Sequence, residues 1–256
     1  MTRRLAFTRA ISPRIAEGEL THLERTPIDI EVAEAQHLEY ERALRGLGCE
    51  LRRVEPAPKM PDSVFIEDTA VVFDEIAIIT RPGAKSRRAE TVAVEAVLAP
   101  LRPLAHIKAP GTLDGGDVMH VGKRVFVGRT SRTNDAGIAQ LRAALQPHGY
   151  TVEAVDVTGA LHLKSAATEV DDHTVLLNSK WVDARAFAPF SIIEVDPTEP
   201  TGANVLRVGE ALLYGKEYPR THSRLKARGH AVATVNSSEL AKAEGAVTCC
   251  SLVLRA

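Results

Sequence analysis

The sequence predicts an α/β repeat protein, in which a unit of hairpin, helix and strand recurs about five times. Three observations lead there. Short apolar runs come in pairs around polar turns, and helical stretches separate the pairs. The turns, near Asp74, Gly122, Asp172 and Gly209, fall 48, 50 and 37 residues apart, a spacing that signals stacked or radial repeats. Two arrangements stay open on pattern alone: a ring of repeats, and an open mixed α/β sheet.

The elements follow in order. Leu5 to Thr8 reads as a first strand. Glu31 to Gly48 reads as a helix, with Ala35, Leu38, Ala43, Leu44 and Leu47 at helical spacing and a glycine at its end. Residues 68–80, 117–128, 168–178 and 204–214 each read as a hairpin with Asp or Gly in a short turn. Asn134 to Gly149 is a second helix, carrying Ile138, Leu141 and Leu145 behind a Thr133 or Asn134 cap. Thr91 to Leu101 and Thr221 to Gly229 are shorter helices. Thr151 to Val157, Ala231 to Val235 and Val247 to Leu254 complete the strands. Pairing of the first strand with the last would close a ring and remove its exposed edges.

Composition narrows the function classes. The chain has 256 residues, 32 Lys plus Arg against 33 Asp plus Glu, and a net charge of −1. Such a balance argues against nucleic acid or an anionic membrane as the main partner. No apolar run is long enough to span a bilayer. Arg9 interrupts the first apolar run, so no secretory leader is expected. Three cysteines, Cys49, Cys249 and Cys250, suit free thiols in the cytoplasm. One domain over residues 1–256 is expected, with a core large enough to need no disulfide or metal.

Candidate chemistry gathers at the ends of the repeats. The run Gly245 to Leu254 alternates as a strand would, placing Cys249 and Cys250 on opposite faces. A nucleophilic cysteine needs a proton shuttle, and nine histidines could serve. His37 falls within the first helix as a surface residue. His162 sits between Leu161 and Leu163, where alternation points it away from both. Asp62, Glu67 and Asp68 precede one hairpin, and Asp114 and Asp117 precede the next. Acids gathered there could hold a cation, either a metal or a guanidinium; they could equally be turn formers. Arg87, Arg88, Arg129 and Arg132 follow the same hairpins, and an arginine fork suits a carboxylate. Phosphate-binding loops, zinc motifs and the Gly-x-Ser-x-Gly hydrolase elbow are absent from the sequence.

Six motifs in order carry a resemblance: Pro61-Asp-Ser-Val-Phe-Ile-Glu-Asp68, Arg81-Pro-Gly-Ala-Lys-Ser-Arg-Arg88, Leu113-Asp-Gly-Gly-Asp-Val118, Ser131-Arg-Thr-Asn134, Leu161-His-Leu-Lys164 and Thr248-Cys-Cys-Ser251. In these the chain resembles the dimethylarginine dimethylaminohydrolase family of guanidine-modifying enzymes. The resemblance implies a five-bladed α/β propeller with its site in the axial channel. It implies hydrolysis of Nω-methylated arginines to citrulline and a methylamine, without metal or organic cofactor. By motif position Cys249 would be the nucleophile, His162 the acid and base, and Asp114 its carboxylate partner. Asp62, Glu67 and Asp68 would bind substrate, Arg87 and Arg132 would hold the α-carboxylate, and the carbonyls of Leu20 and Ala243 would take the α-ammonium. The expected partner is the small-molecule substrate alone, with neither nucleic acid nor membrane; a homodimer is left open. Rival readings are an arginine deiminase-like hydrolase or an amidinotransferase on the same scaffold, a non-catalytic propeller that works by binding, and a metal-dependent amidinohydrolase.

Overall fold

In the computed structural model, which describes residues 3–255, fifteen strands form five three-stranded sheets. Four sheets are built from consecutive strands: β3 (Ala70–Val72), β4 (Ala77–Ile79) and β5 (Leu104–His106); β6 (Val118–Val121), β7 (Arg124–Arg129) and β8 (Thr151–Asp156); β9 (Ala167–Asp171), β10 (Thr174–Leu177) and β11 (Ser191–Glu194); β12 (Val205–Val208), β13 (Ala211–Gly215) and β14 (Ala231–Val235). In each, an antiparallel hairpin is followed by a crossover to a parallel third strand. The fifth sheet joins the ends of the chain. β1 (Arg4–Thr8) pairs antiparallel with β15 (Leu252–Arg255), Leu5 against Leu254, and parallel with β2 (Cys49–Arg53). The terminal strands therefore pair as their apolar pattern suggests, and the fold is the five-bladed α/β propeller rather than an open sheet.

Five apolar clusters fill the spaces between neighbouring blades. Leu5, Phe7, Leu252 and Leu254 of the closing sheet pack on Ala70, Ile79 and Leu98 of the next. Phe126 of β7 packs on Val175, Leu177 and Phe187 of the following blade, its ring 5.0 Å from that of Phe187. Burial of this kind supplies most of the stability, at about 25 cal/mol per Å² of apolar surface.

Four crossovers carry a helix: α1 (Ile30–Gly46), α2 (Thr91–Leu98), α3 (Asp135–Leu145) and α5 (Pro219–Ala227). Asn134 caps α3, its Oδ1 accepting from the Gly137 N–H at 2.9 Å, and Ile138, Leu141 and Leu145 are its buried face. The fourth blade departs from the repeat. Its crossover holds only a 3-10 turn, Ala184–Phe187, which accounts for the shorter spacing of 37 residues before the last turn.

The face of α1 corrects the sequence reading. Ala35 and Leu38 are exposed, and the buried stripe is Ala33, Gln36, His37, Tyr40, Glu41 and Leu44. His37 is thus buried rather than on the surface. Other polar members of the stripe find partners across the core: Glu41 accepts from the Thr8 hydroxyl at 2.8 Å and from Arg53, and Tyr40 donates to the Val247 carbonyl at 2.8 Å, whereas neither ring nitrogen of His37 has a hydrogen-bond partner among the described residues.

The second correction concerns the cysteines. Residues 247–250 form a turn, closed by the Cys249 N–H on the Ala246 carbonyl at 3.2 Å, and the strand begins only at Leu252. The two cysteines differ in burial rather than in face: Cys250 is buried in an apolar cluster, and Cys249, partly exposed, packs against that same cluster.

Candidate active site

Each blade contributes to the site from a matching position, the segment just before its inner strand. A 3-10 turn, Ile66–Thr69, precedes β3 and presents Asp68. A second, Gly115–Asp117, precedes β6, with Asp114 at its start. His162 caps the short helix α4 (Leu163–Ala166) ahead of β9. Asn204 precedes β12 and bonds to both the side chain and the N–H of Thr248. Cys249 precedes β15. The ring brings these five points to one end of its axis.

Glycines allow the close approach. A Cβ on Gly116 would stand 2.7 Å from His162 Nδ1 and 2.8 Å from Asp68 Oδ1, and one on Gly115 would stand 2.0 Å from the Glu67 carbonyl oxygen. The Gly-Gly pair is thus a packing requirement of the site. Gly115→Ala should cost about 1–3 kcal/mol, the scale of overpacking against backbone. The check is the urea midpoint of unfolding, and an unchanged midpoint would refute the argument.

His162 is buried among three carboxylates. Its Nε2 lies 3.0 Å from Asp114 Oδ2 and 3.9 Å from Asp68 Oδ1. Asp117 stands nearby, accepting from the Leu163 N–H at 3.0 Å and the Thr130 hydroxyl at 2.7 Å. Burial alone would lower the imidazole pKa, but Asp68, Asp117 and Asp114 together overcome it and hold the pKa at about 9. The ring is therefore an imidazolium at neutral pH. Asp68, despite its burial, is held down to about 2 by His162 and Arg87. Asp117 is raised to about 6, chiefly by burial.

Cys249 shares its pocket with Asp62, Phe65, Asp68, Arg87, Arg132, Leu161, His162 and Ala243, and with Glu19 and Glu244 at the rim. Burial, with the negative charges of Glu67 and Asp68, pushes its thiol pKa up. These surroundings favour neutral thiol beside imidazolium, an arrangement that a bound cation would shift toward thiolate.

The remaining expected residues fall into place unequally. Asp62 accepts from the Glu19 N–H at 3.1 Å. Arg87 is buried and occupied: it meets Asp68 at 2.5 Å, Glu90 at 2.9 Å and the carbonyls of Asp62 and Phe65. Arg132 is less committed, donating to the Thr21 hydroxyl at 3.1 Å. Leu20 lies in the irregular segment ahead of α1, between Glu19 and Thr21. Glu67 faces the axial channel behind the pocket, where Lys164 Nζ meets it at 2.5 Å and the Thr248 hydroxyl at 2.8 Å. Its backbone N–H holds the Cys249 carbonyl at 3.1 Å.

Three contributors escape a sequence reading of roles, Lys164, Glu90 and Glu244, while Asp117, read there as a cation-holding or turn acid, stands beside His162 instead. Lys164 sits in the His-Leu-Lys motif. Glu90 and Glu244 have no local signal, since their partners are set by the fold. Asp68, Asp114 and His162 offer ligand atoms within 4.8 Å of one another, the spacing of a cation site. Protein donors already engage two of them: Arg87 and the Gly116 N–H on Asp68, the Gly83 N–H on Asp114. A further hollow, of about 420 Å³, lies at the opposite mouth of the channel, where Arg207 pairs with Asp172 and Arg255 with Asp74, and among the described residues no cysteine lines it.

Comparison with known proteins agrees with this geometry. The arginine deiminase family model matches residues 53–201. The N(G),N(G)-dimethylarginine dimethylaminohydrolase of Streptomyces coelicolor is 45% identical over 257 residues, spanning 100% of this chain and 98% of the relative. That of Pseudomonas aeruginosa is 37% identical over 219 residues, 85% of this chain and 86% of the relative. A crystal structure of the Pseudomonas aeruginosa enzyme, a Cys-to-Ser variant complexed with citrulline, superposes with a TM-score of 0.94 at 34% identity and covers 99% of this chain and 100% of that one. A cysteine beside a carboxylate-held imidazolium on a five-bladed ring, together with these likenesses, establishes that the chain belongs to the dimethylarginine dimethylaminohydrolase family.

Proposed function

We propose that this protein hydrolyses Nω-methylated L-arginines to L-citrulline and methylamine or dimethylamine through a covalent intermediate on Cys249. One observation carries the reading: a partly exposed cysteine, an imidazolium and two buried carboxylates meet in one pocket. Every blade contributes to it, so the chain acts as one catalytic domain. Among the described residues, no helix is long and apolar enough to cross a membrane, and three unpaired cysteines suit the reducing cytoplasm.

The chemistry follows from the charges. A guanidinium is resonance-stabilised, and water attacks its carbon slowly. Asp62 and Asp68 hold the cation and aim that carbon at the sulfur. The incoming positive charge offsets the field of Glu67 and Asp68, so Cys249 loses its proton to solvent as substrate binds. The thiolate adds to the carbon and gives a tetrahedral adduct. His162, protonated beforehand, passes its proton to the departing amine, and an S-alkylthiouronium remains. The now neutral imidazole takes a proton from water as the water adds to the same carbon. Collapse breaks the C–S bond and returns the thiolate, and the remaining hydroxyl proton leaves to solvent as neutral citrulline is freed.

At the other end of the substrate, Arg132 takes the α-carboxylate, with the field of the buried Arg87 behind it. The carbonyls of Leu20 and Ala243 accept from the α-ammonium. Arg132→Ala should raise KM by roughly 10- to 100-fold, the equivalent of about 1.5–3 kcal/mol for a charge-assisted contact, with little change in kcat. Unchanged KM would remove the carboxylate assignment.

The experiment on the function itself compares arginine, monomethylarginine and asymmetric dimethylarginine as substrates for the purified protein. Citrulline and free methylamines are expected from the methylated substrates. Ammonia from arginine alone would instead make the protein a deiminase, and transfer of an amidino group to an added amine would make it an amidinotransferase.

A further inference from the structure

The segment Gly18–Arg25 runs without regular structure between the first 3-10 turn (Ile15–Glu17) and α1. It is tied to the pocket at four places. The Glu19 N–H donates to Asp62, the Ser86 hydroxyl to Glu19 at 2.5 Å, and Arg132 to the Thr21 hydroxyl. The fourth tie is the densest. The carboxylate of Glu244 accepts from three successive backbone N–H groups, those of Thr21 at 3.0 Å, His22 at 2.5 Å and Leu23 at 2.8 Å. Consecutive N–H groups converging on one anion form a nest, and each bond is charge-assisted.

Glu244 is itself held in an unusual conformation. Its φ of +59° is the positive value recorded among the non-glycine residues described, a region that side chains with a Cβ rarely enter. The position ends the short helix α6 (Ser238–Ala241), with the Glu244 N–H on the Ala241 carbonyl and the Gly245 N–H on the Leu240 carbonyl. A glycine commonly fills such a place. Here the left-handed turn carries a carboxylate, next to Ala243 of the pocket and across from the segment that holds Leu20.

We propose that Glu244 is a positioning residue, whose carboxylate clamps Gly18–Arg25 over the pocket and so fixes the spacing of the Leu20 and Ala243 carbonyls. The inference rests on the functional reading above, in which those carbonyls receive the α-ammonium. Asp62 and Arg132 are contacts the segment must share with substrate. Glu244, at the pocket rim, spends its carboxylate on the segment's own backbone N–H groups, so its hold can persist while substrate enters.

The test uses the full chain and two variants. Glu244→Gln keeps the shape and removes the charge, and Glu244→Gly removes the side chain and relaxes the backbone. Amide hydrogen exchange is followed without substrate, and KM and kcat are measured with asymmetric dimethylarginine. The clamp predicts exchange of residues 18–25 faster by roughly 10-fold in both variants, with β7 unchanged. It also predicts a KM raised by roughly 10-fold with kcat within about threefold, as for a lost uniform binding contact. Unchanged exchange in the segment would overturn the proposal. Faster exchange throughout the chain would also overturn it, since Glu244 would then be merely structural, and so would local loosening with an unaltered KM. A wild-type protein that turned over no methylarginine would defeat the functional reading separately, and the exchange measurement alone would then decide the clamp.

Discussion

Replacement of Cys249 by serine is expected to abolish turnover, lowering kcat by roughly 10⁴ or more, the scale of a lost nucleophile. The fold should persist, because Cys249 is only partly buried and its Sγ accepts a single long hydrogen bond, 3.4 Å from the Ala246 N–H, that a serine oxygen can also accept. A serine hydroxyl has a far higher pKa than a thiol, and no neutral base stands ready to take its proton, since His162 is already protonated. Cys250 provides the control. It lies in the apolar cluster between the first and last blades, with its own thiol pushed well up by burial. Cys250→Ser should retain turnover, and a mass label from substrate found on Cys250 rather than Cys249 would overturn the assignment.

His162→Ala carries the second large effect. Loss of the shared acid and base should lower the citrulline rate by roughly 10² or more. Addition of thiolate to a cationic carbon needs no base, so some adduct should form and then persist, visible as a mass increase on the Cys249 peptide after quenching. The wild-type pH profile should carry the matching signature. His162 has a folded pKa raised to about 9, so the acid is present at neutral pH and is lost as pH rises through that value. The rate of amine departure should therefore fall above about pH 9. A variant with wild-type turnover, or amine departure unaffected up to pH 10.5, would send the proton-transfer role to another residue.

Most of the site was legible because its residues sit in turns that the chain must punctuate. Leu113-Asp-Gly-Gly-Asp-Val118 announces a tight approach, and the structure shows what approaches: His162 and the carboxylate of Asp68 against Gly116. The same logic exposed the hairpins, whose turns at Gly122 and Gly209 adopt positive φ. Two of the third strands were harder. β2 reads Cys-Glu-Leu-Arg-Arg and β5 has three residues. Each is too short and too polar to stand out, because parallel pairing on one edge is what holds them. The turn at Thr248–Cys250 passed for a strand because small and β-branched residues populate both. Its true shape is fixed by distant contacts, Tyr40 on Val247 and Ser251, and Asn204 on Thr248.

Charge partners were the least legible. Glu90 neutralises Arg87 from three residues away, but only after a 3-10 turn brings them together. Lys164 and Glu67 are 97 positions apart in the chain and meet in the channel. His37 reads as a surface residue by its helix, yet α1 buries that side against the first sheet, with Glu41 one turn further on and 3.7 Å separating Nε2 from its carboxylate. Such pairings depend on how blades close on one another, and local pattern holds no record of that.

The central claim, that Cys249 and His162 hydrolyse a methylated guanidinium at its carbon, is tested most directly by one labelling measurement. Purified protein is given asymmetric dimethylarginine in ¹⁸O-enriched water, and both products are weighed by mass spectrometry. The mechanism predicts citrulline bearing one ¹⁸O on its ureido carbon, with one dimethylamine released per citrulline. Release of ammonia with the methyl groups left on the ureido product would contradict the assigned leaving group. Citrulline without the heavy oxygen would contradict hydrolysis of a thiouronium by water.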